Sequence, residues 1–330
     1  MAKNIIICFD GTGNEYSEHN TNVVKLYEAI VRDKSQIAFY DPGVGTFSFL
    51  GRSLGRQTGL LLGKAFGAGL CQNIEDGYEY LMNTYEQGDK VFLFGFSRGA
   101  FTARALAGMI YRFGLLQKGS KNLIPYVSKM YNNRDFAVSA KFKATFCQEC
   151  NPHFVGVWDT VASLGYINGK TFYDHKLNPS ISFAYQAVSI DEKRKKFPIS
   201  LWDESTKATG QTIEQVWFAG VHSDVGGSYK ECGLSDIPLG WMLDNAQKCG
   251  LQLKTNHQNA MTQDSKDTLH NSRTGAWKMW QEAPRQIPKN ANIHKSVIER
   301  MELVATYKPS NLPSEYEVVS NESYEKRKLE

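Results

Sequence analysis

The chain opens on an unbroken apolar run, Ile5 to Phe9, rich in β-branched residues and ended by Asp10-Gly11. A run without polar alternation reads as a strand buried on both faces, as at the centre of a parallel sheet. Val23 to Val31 then sets Val23, Val24, Tyr27 and Ile30 on one helical face, with Asn20 or Thr21 placed to cap it. Ile37 to Tyr40 gives a second short strand, stopped by Asp41-Pro42-Gly43. After a Gly- and Leu-dense stretch at 43–70, a helix is predicted from about Cys71, with Ile74, Tyr78, Leu81 and Tyr85 on one face. Val91 to Phe94 is the third strand and Arg98 to Tyr111 an Ala- and Leu-rich helix. His153 to Trp158 and Val216 to Ala219 read as further strands, and 236–249 and 294–303 as helices. Apolar strands alternating with amphipathic helices predict an α/β fold, a mostly parallel sheet with helices on both faces.

No internal repeat interrupts this order. Residues 1–307 read as one catalytic-size domain, and 308–330 as a polar C-terminal tail whose last ten residues fray. The segments 43–70 and 112–150 lie outside the alternation and read as a partial helical cap. A chain of 330 residues can bury a core without disulfides or a structural metal. Its net charge of +4 is too small and too scattered to argue for a nucleic-acid partner. The first apolar run is too short for a signal peptide, and the stretch Gly59 to Leu70, broken by Lys64, is too short to span a bilayer. Synthesis in the cytoplasm is expected, and export by a dedicated secretion machine is compatible with it. Of six cysteines, only Cys147 and Cys150 are close, as C-Q-E-C. A zinc site would want a second pair, and a redox pair would open a helix, whereas His153 here opens a strand. The thiols read as reduced and structural, and no metal or other cofactor is expected.

The chemistry concentrates at Gly95-Phe96-Ser97-Arg98-Gly99. This G-x-S-x-G follows a strand and precedes a helix, the context of a nucleophile elbow. Such a turn lifts the Ser97 hydroxyl above the sheet, and its glycines let strand and helix approach. The N–H of Arg98, at the helix start, can face a developing oxyanion. A serine needs a base. Among seven histidines, His222 stands out in V-H-S-D-V-G-G at 221–227, just past a strand's carboxyl end. The chain order Ser, Asp, His is met by Ser97–Asp159–His222 and also by Ser97–Asp224–His294.

Asp10-Gly11-Thr12-Gly13-Asn14 follows the first strand, where a glycine-rich loop can supply the second oxyanion N–H, from Gly11 or Thr12. The same residues resemble the D-x-D-G-T opening of haloacid-dehalogenase phosphatases, which would make the enzyme magnesium-dependent. The position of that family's nucleophilic Asp is held here by Cys8. A third reading is a catalytically silent hydrolase-fold binding protein. Lys193-Arg194-Lys195-Lys196 reads as a solvated face, with modest attraction for an anionic membrane surface.

In combination, F-D-G-T-G-N at 9–14, D-P-G-V-G-T at 41–46, G-F-S-R-G-A-F-T-A-R at 95–104 and V-W-D-T-V at 157–161 resemble one family. So do D-E-K-R-K-K-F at 191–197, G-V-H-S-D-V-G-G at 220–227 and I-H-K-S-V at 293–297. The chain is similar to the α/β-hydrolase catalytic domains of type VI secretion phospholipase effectors of the first lipase class. The resemblance runs from residue 4 to about 303. It implies a Ser-Asp-His hydrolase of ester bonds, with phospholipids as the substrate class. The family's serine falls on Ser97, its W-D-T aspartate on Asp159 and its H-S-D-V-G-G histidine on His222, leaving Asp224 and His294 without a role. Little lies beyond the catalytic core, where secreted effectors often carry delivery regions.

Overall fold

The computed structural model describes residues 2–11, 16–43, 58–161, 176–275, 278 and 281–329. Strand β1 (Asn4–Phe9) is buried along its whole length, between β2 (Gln36–Asp41) and β3 (Lys90–Phe96). Its side chains part by alternation. Ile5, Ile7 and Phe9 join one core cluster, and Ile6 and Cys8 the other. Burial on both faces is why the sequence shows no alternation there.

Next to β3 come β6 (Phe154–Trp158), β7 (Phe183–Ser189), β8 (Thr212–Phe218), β9 (Ala291–His294) and β10 (Tyr316–Val319). The sheet order is β2-β1-β3-β6-β7-β8-β9-β10, and every neighbouring pair is parallel. The chain leaves β1 toward β2 and returns on the other side to β3. That reversal is a switch point at the carboxyl ends of β1 and β3, where such sheets carry their sites.

One face of the sheet is covered by α2 (Thr58–Thr84) and α3 (Arg98–Phe113), whose Tyr78, Leu106 and Ile110 pack on Ile5, Ile7 and Leu93. The other is covered by α1 (Asn22–Ala29) and α7 (Gly233–Lys248), through Val23, Leu26, Trp241 and Met242. The Thr21 hydroxyl caps α1, accepting from the Val24 N–H at 3.3 Å. Among the described residues no helix is long and apolar enough to cross a membrane.

Three expectations meet a different structure, and β7 is not among the strands expected. Helix α2 begins at Thr58, well before Cys71, so the Gly- and Leu-rich stretch is helical from there; residues 44–57 of the expected cap lie outside the described residues. The second expected cap segment carries the ribbon β4 (Leu115–Leu116) with β5 (Cys147–Gln148), α4 (Ile124–Asn133) and α5 (Ser139–Phe146). Its Val127, Met130, Tyr131 and Phe142 are buried in the same core cluster as α2 and α3. A Cβ on Gly108 would stand 2.4 Å from the Tyr131 hydroxyl, so α4 sits hard against α3.

Strand β7 escapes the sequence pattern because buried Gln186 and Ser189 break its apolar run. The Gln186 amide is satisfied inside, accepting from the Thr160 hydroxyl at 2.6 Å and donating to the Ser200 carbonyl at 3.1 Å. The polar residues after 308 are built in rather than frayed. Tyr316 to Val319 pair with β9, and α9 (Glu322–Leu329) follows with Tyr324 buried. An edge strand and an outer helix bury only one side, so polar composition hides them. Polar contacts hold them: Asn321 donates to Asp244 at 2.6 Å, and the Ser323 N–H to the same carboxylate at 2.9 Å.

His294 is part of that anchor. It caps α8 (Lys295–Leu303), with Nδ1 3.3 Å from the Ser296 N–H and Nε2 3.0 Å from Asn321 Oδ1. Burial pushes its pKa down to about 4. Between about pH 6.5 and 4 the unfolded chain therefore binds a proton there that the folded chain refuses. Stability from this group is present above pH 6.5 and falls as the pH drops toward 4, by up to about 3 kcal/mol. His294→Gln should be less stable at neutral pH and should lack this dependence. Urea unfolding of both proteins across neutral to acidic pH checks it, since the stability gap should narrow with acid.

Candidate active site

Strand β3 ends at Phe96 and α3 begins at Arg98, so one residue, Ser97, makes the turn. It does so at φ 58°, ψ −116°, a conformation that is strained for a residue with a Cβ. Its neighbours explain why the turn holds. A Cβ on Gly95 would lie 2.3 Å from the Gly99 carbonyl oxygen. A Cβ on Gly99 would lie 2.1 Å from the Phe9 carbonyl oxygen and 2.5 Å from that of Asp10. Strand β3, the first turn of α3 and the end of β1 thus touch backbone to backbone. The Ser97 N–H donates to the Trp158 carbonyl at 3.0 Å, tying the turn to β6.

Around Ser97 the parallel strands deliver two more residues. His222 opens the short helix α6 (His222–Gly226) past the end of β8, and Asp159 follows β6. His222 Nε2 lies 2.8 Å from Ser97 Oγ, and Nδ1 lies 2.5 Å from Asp159 Oδ2. The imidazole is wedged between Phe96 and Phe197, with ring centroids at 4.7 and 5.1 Å. Gly226 makes room for this, because a Cβ there would meet the Phe96 ring at 1.9 Å.

Asp159 is fully buried and has φ 44°. Its Oδ1 accepts from the Ser189 N–H at 2.8 Å and from Arg285 Nη1 at 2.5 Å. Its Oδ2 accepts from Arg285 Nη2 at 2.8 Å as well as facing His222. Burial alone would raise the carboxyl's pKa; the Arg285 charge and the hydrogen bonds from His222 and Arg285 outweigh it and hold the group well below the usual carboxylate range. Burial also lowers the pKa of His222, against the opposing pull of Asp159, so the ring is neutral at pH 7. A neutral imidazole facing a serine hydroxyl, with a carboxylate behind it, can take up that hydroxyl's proton.

The other acid and base of the sequence analysis are engaged elsewhere. Asp224 accepts from the Val221 N–H at 3.0 Å at the start of α6, and its Oδ1 lies 2.6 Å from His270 Nδ1. His294 is bound to Ser296 and Asn321. The Asp10 carboxylate ties β1 to its neighbours, accepting from the Thr21 and Tyr40 hydroxyls at 2.7 and 2.8 Å and from the Gly11 N–H at 2.6 Å. Any oxyanion must compete with Asp10 for that Gly11 donor. Thr12 and Gly13 lie outside the described residues. Of the basic run, Arg194 turns inward onto buried Glu192, at 2.9 Å, and covers the Phe197 ring at 3.6 Å. It is a wall of the site rather than a solvated charge. Cys147 donates to the Phe113 carbonyl, and burial pushes the Cys147 and Cys150 thiols up to about 11 and 12.

Arg285 and Ser189 carry no mark in the sequence, and Glu192 enters it only as a member of D-E-K-R-K-K-F at 191–197. Arg285 sits in A-P-R-Q, far along the chain and without periodicity or motif, so no local signal marks it.

A parallel sheet with helices on both faces and a strand-turn-helix serine at its switch point defines a hydrolase-like α/β protein. The chain belongs to the family described as T6SS, phospholipase effector Tle1-like, catalytic domain, whose model matches residues 3–245. An uncharacterized protein of Saccharomyces cerevisiae, YEL023C, is 36% identical over 218 residues, covering 59% of this chain and 32% of the yeast protein. The chain thus spans about a third of the length of that curated relative. A crystal structure of an uncharacterized Pseudomonas aeruginosa protein aligns with 77% of this chain and 47% of its own, at 21% identity and a TM-score of 0.46. The Tle1 effector, in a structure bound to the VgrG spike of the type 6 secretion system, aligns with 70% of this chain and 52% of its own. There the identity is 18% and the TM-score 0.43.

The backbone contact at Gly99 yields a direct expectation. Gly99→Ala should force β1 and α3 apart, costing about 1–3 kcal/mol and displacing Ser97. Urea unfolding should give the loss, and activity per folded molecule should fall more steeply than stability does.

Proposed function

We propose that this domain is a serine hydrolase that cleaves carboxylic esters, with phospholipids as its substrate class. The observation that carries the reading is the continuous line from Ser97 Oγ to His222 Nε2, 2.8 Å, and from His222 Nδ1 to Asp159 Oδ2, 2.5 Å. Membership of a phospholipase effector family supports the lipid ester. The match to a yeast protein keeps the reading to the chemistry of the domain rather than to a delivery route.

In this mechanism Ser97 attacks the ester carbonyl while His222 takes its proton. His222 then returns the proton to the leaving alcohol. Water repeats the cycle on the acyl-enzyme. Asp159 accepts from Nδ1–H, which leaves Nε2 free to act as the base, and it stabilises the imidazolium. The oxyanion is met by the Arg98 N–H, at the positive end of the 16-residue helix α3. The second donor comes from the 11–13 loop, through Gly11 once its N–H leaves Asp10, or through Thr12.

The pH dependence follows from His222. Its pKa lies below the usual 6.5, and only the neutral ring is a base. Activity should rise with pH through a limb below 6.5 and be flat at neutral pH, which a kcat/KM profile on a short-chain ester would display.

Ser97→Ala should lower kcat by about 10⁶-fold if the three residues act as a unit. It should also abolish labelling by a fluorophosphonate, which intact mass and peptide mapping would assign to Ser97. His222→Ala and Asp159→Ala should be severe, whereas Asp224→Ala and His294→Ala should leave labelling of the folded protein in place. Folded wild-type protein without a Ser97 adduct would overturn the proposal. Magnesium-dependent phosphatase activity lost in Asp10→Asn would then point to chemistry at Asp10, and a partner kept by Ser97→Ala without any hydrolysis would point to a silent binding protein.

A further inference from the structure

The proposed mechanism uses Asp159 as a partner of His222, yet that carboxylate is shared with a cation the mechanism does not mention. We infer that Arg285 is a positioning residue: its guanidinium fixes the Asp159 carboxylate for His222 and moderates how strongly that carboxylate holds a proton on the imidazole. The inference rests on the serine-hydrolase reading above and adds a residue to it from outside the family match, which ends at residue 245.

The geometry is that of a two-pronged clamp. Arg285 Nη1 and Nη2 reach the two oxygens of Asp159 at 2.5 and 2.8 Å. Paired N–H donors in a rigid fork match a carboxylate in both direction and plane. The fork is itself held. Nη1 donates to the Ser189 carbonyl at 3.0 Å and to the Ser189 hydroxyl at 2.7 Å. The Arg285 carbonyl accepts from Asn311 Nδ2 at 3.1 Å, and the same amide donates to the Ile190 carbonyl at 3.0 Å. Arg285 and Asp159 are both buried. With two bonds to each Asp159 oxygen, the carboxylate cannot rotate away from Nδ1 of His222 without breaking the clamp. That restraint matters because Asp159 leaves β6 at a positive φ, a position that local backbone preference does not secure.

Among the described residues, the carboxylates near the imidazole each have a partner. Asp159 faces Nδ1 and carries Arg285. Glu192, after β7, accepts from the His222 N–H at 3.3 Å and carries Arg194. On α6 itself, Asp224 is turned to His270. Phe96 and Phe197 pack against the ring, the first tilted and the second edge-on. An imidazolium here would meet a carboxylate already half-neutralised by a guanidinium. His222 therefore gives up its proton more readily than it would beside a lone aspartate, and the base form persists at lower pH. The Arg285 charge is among the causes that lower the His222 pKa, after burial.

The test reads the pH dependence of Ser97 labelling by a fluorophosphonate, in the full chain, for wild type, Arg285→Gln and Arg285→Lys. Arg285→Gln should move the acid limb upward by about one pH unit, so labelling below the limb slows about tenfold. Arg285→Lys keeps the charge and loses the fork. Its limb should stay near that of wild type while its plateau rate falls. If Arg285 merely supports the fold, both variants lose plateau rate by similar factors and neither limb moves, which overturns the inference. Should Arg285→Gln fail to fold, Arg285→Met removes the same charge and fills the buried space with a flexible apolar side chain. Its limb should move upward as well, and an unmoved limb counts against the inference. Wild-type protein that takes no label at Ser97 at any pH overturns the hydrolase reading together with this one. Label at Ser97 with unmoved limbs overturns the role of Arg285 alone.

Discussion

Three backbones meet at Gly99, and the rest of the site is arranged around that contact. The carbonyls of Phe9 and Asp10 occupy the space where a side chain would stand, and the Gly99 carbonyl fills the space beside Gly95. Because β1, β3 and α3 are locked together there, Ser97 can be kept at a strained φ of 58°. Strain of this kind persists only when the surroundings over-determine it, and here the surroundings are main chain, which cannot change rotamer. The same contact sits at the reversal of strand order, where open α/β sheets carry their sites.

The second constraint is a buried charge. A carboxylate without solvent is costly unless it is paired and fully hydrogen-bonded. Asp159 meets that requirement with Ser189, His222 and Arg285, drawn from three separate parts of the chain. Breaking such a pair is far more damaging than never having had it, because the remaining charge is left alone. This ties the line of Ser97, His222 and Asp159 to the region after residue 245. There Arg285 meets Asp159, Ser272 donates to Glu192 and His270 holds Asp224. That region looks polar and irregular in sequence, yet its side chains brace Asp159, Glu192 and Asp224 around His222.

The family resemblance and the geometry bear on different questions. The family supports the lipid-ester part of the proposal. The geometry bears on which serine, base and acid stand in line, and on why Asp224 and His294 do not. Asp224 serves the helix that carries His222, and His294 serves the attachment of α8 and α9, each through buried hydrogen bonds.

Strand β1, the elbow and the alternation up to α3 were legible in the sequence because each is a local feature: an apolar run, glycines at fixed spacing, a helical stripe. Ser97, Asp159 and His222 were legible for the same reason, since each ends a strand or opens a helix within a compact motif. What tertiary structure decided was everything that depends on partners distant in sequence. Buried Gln186 hid β7, because an amide satisfied by Thr160 and Ser200 looks like a break in an apolar run. The polar residues after 308 became an edge strand and an anchored helix because β9 offers a free edge and Asp244 a carboxylate. Two acid–histidine choices read alike along the chain, and the packing put only one of them beside Ser97. Arg285 had no local mark at all. Its meaning lies in a distance of 2.8 Å to a residue 126 positions away, and such a distance is set by the fold and not by the neighbours in sequence.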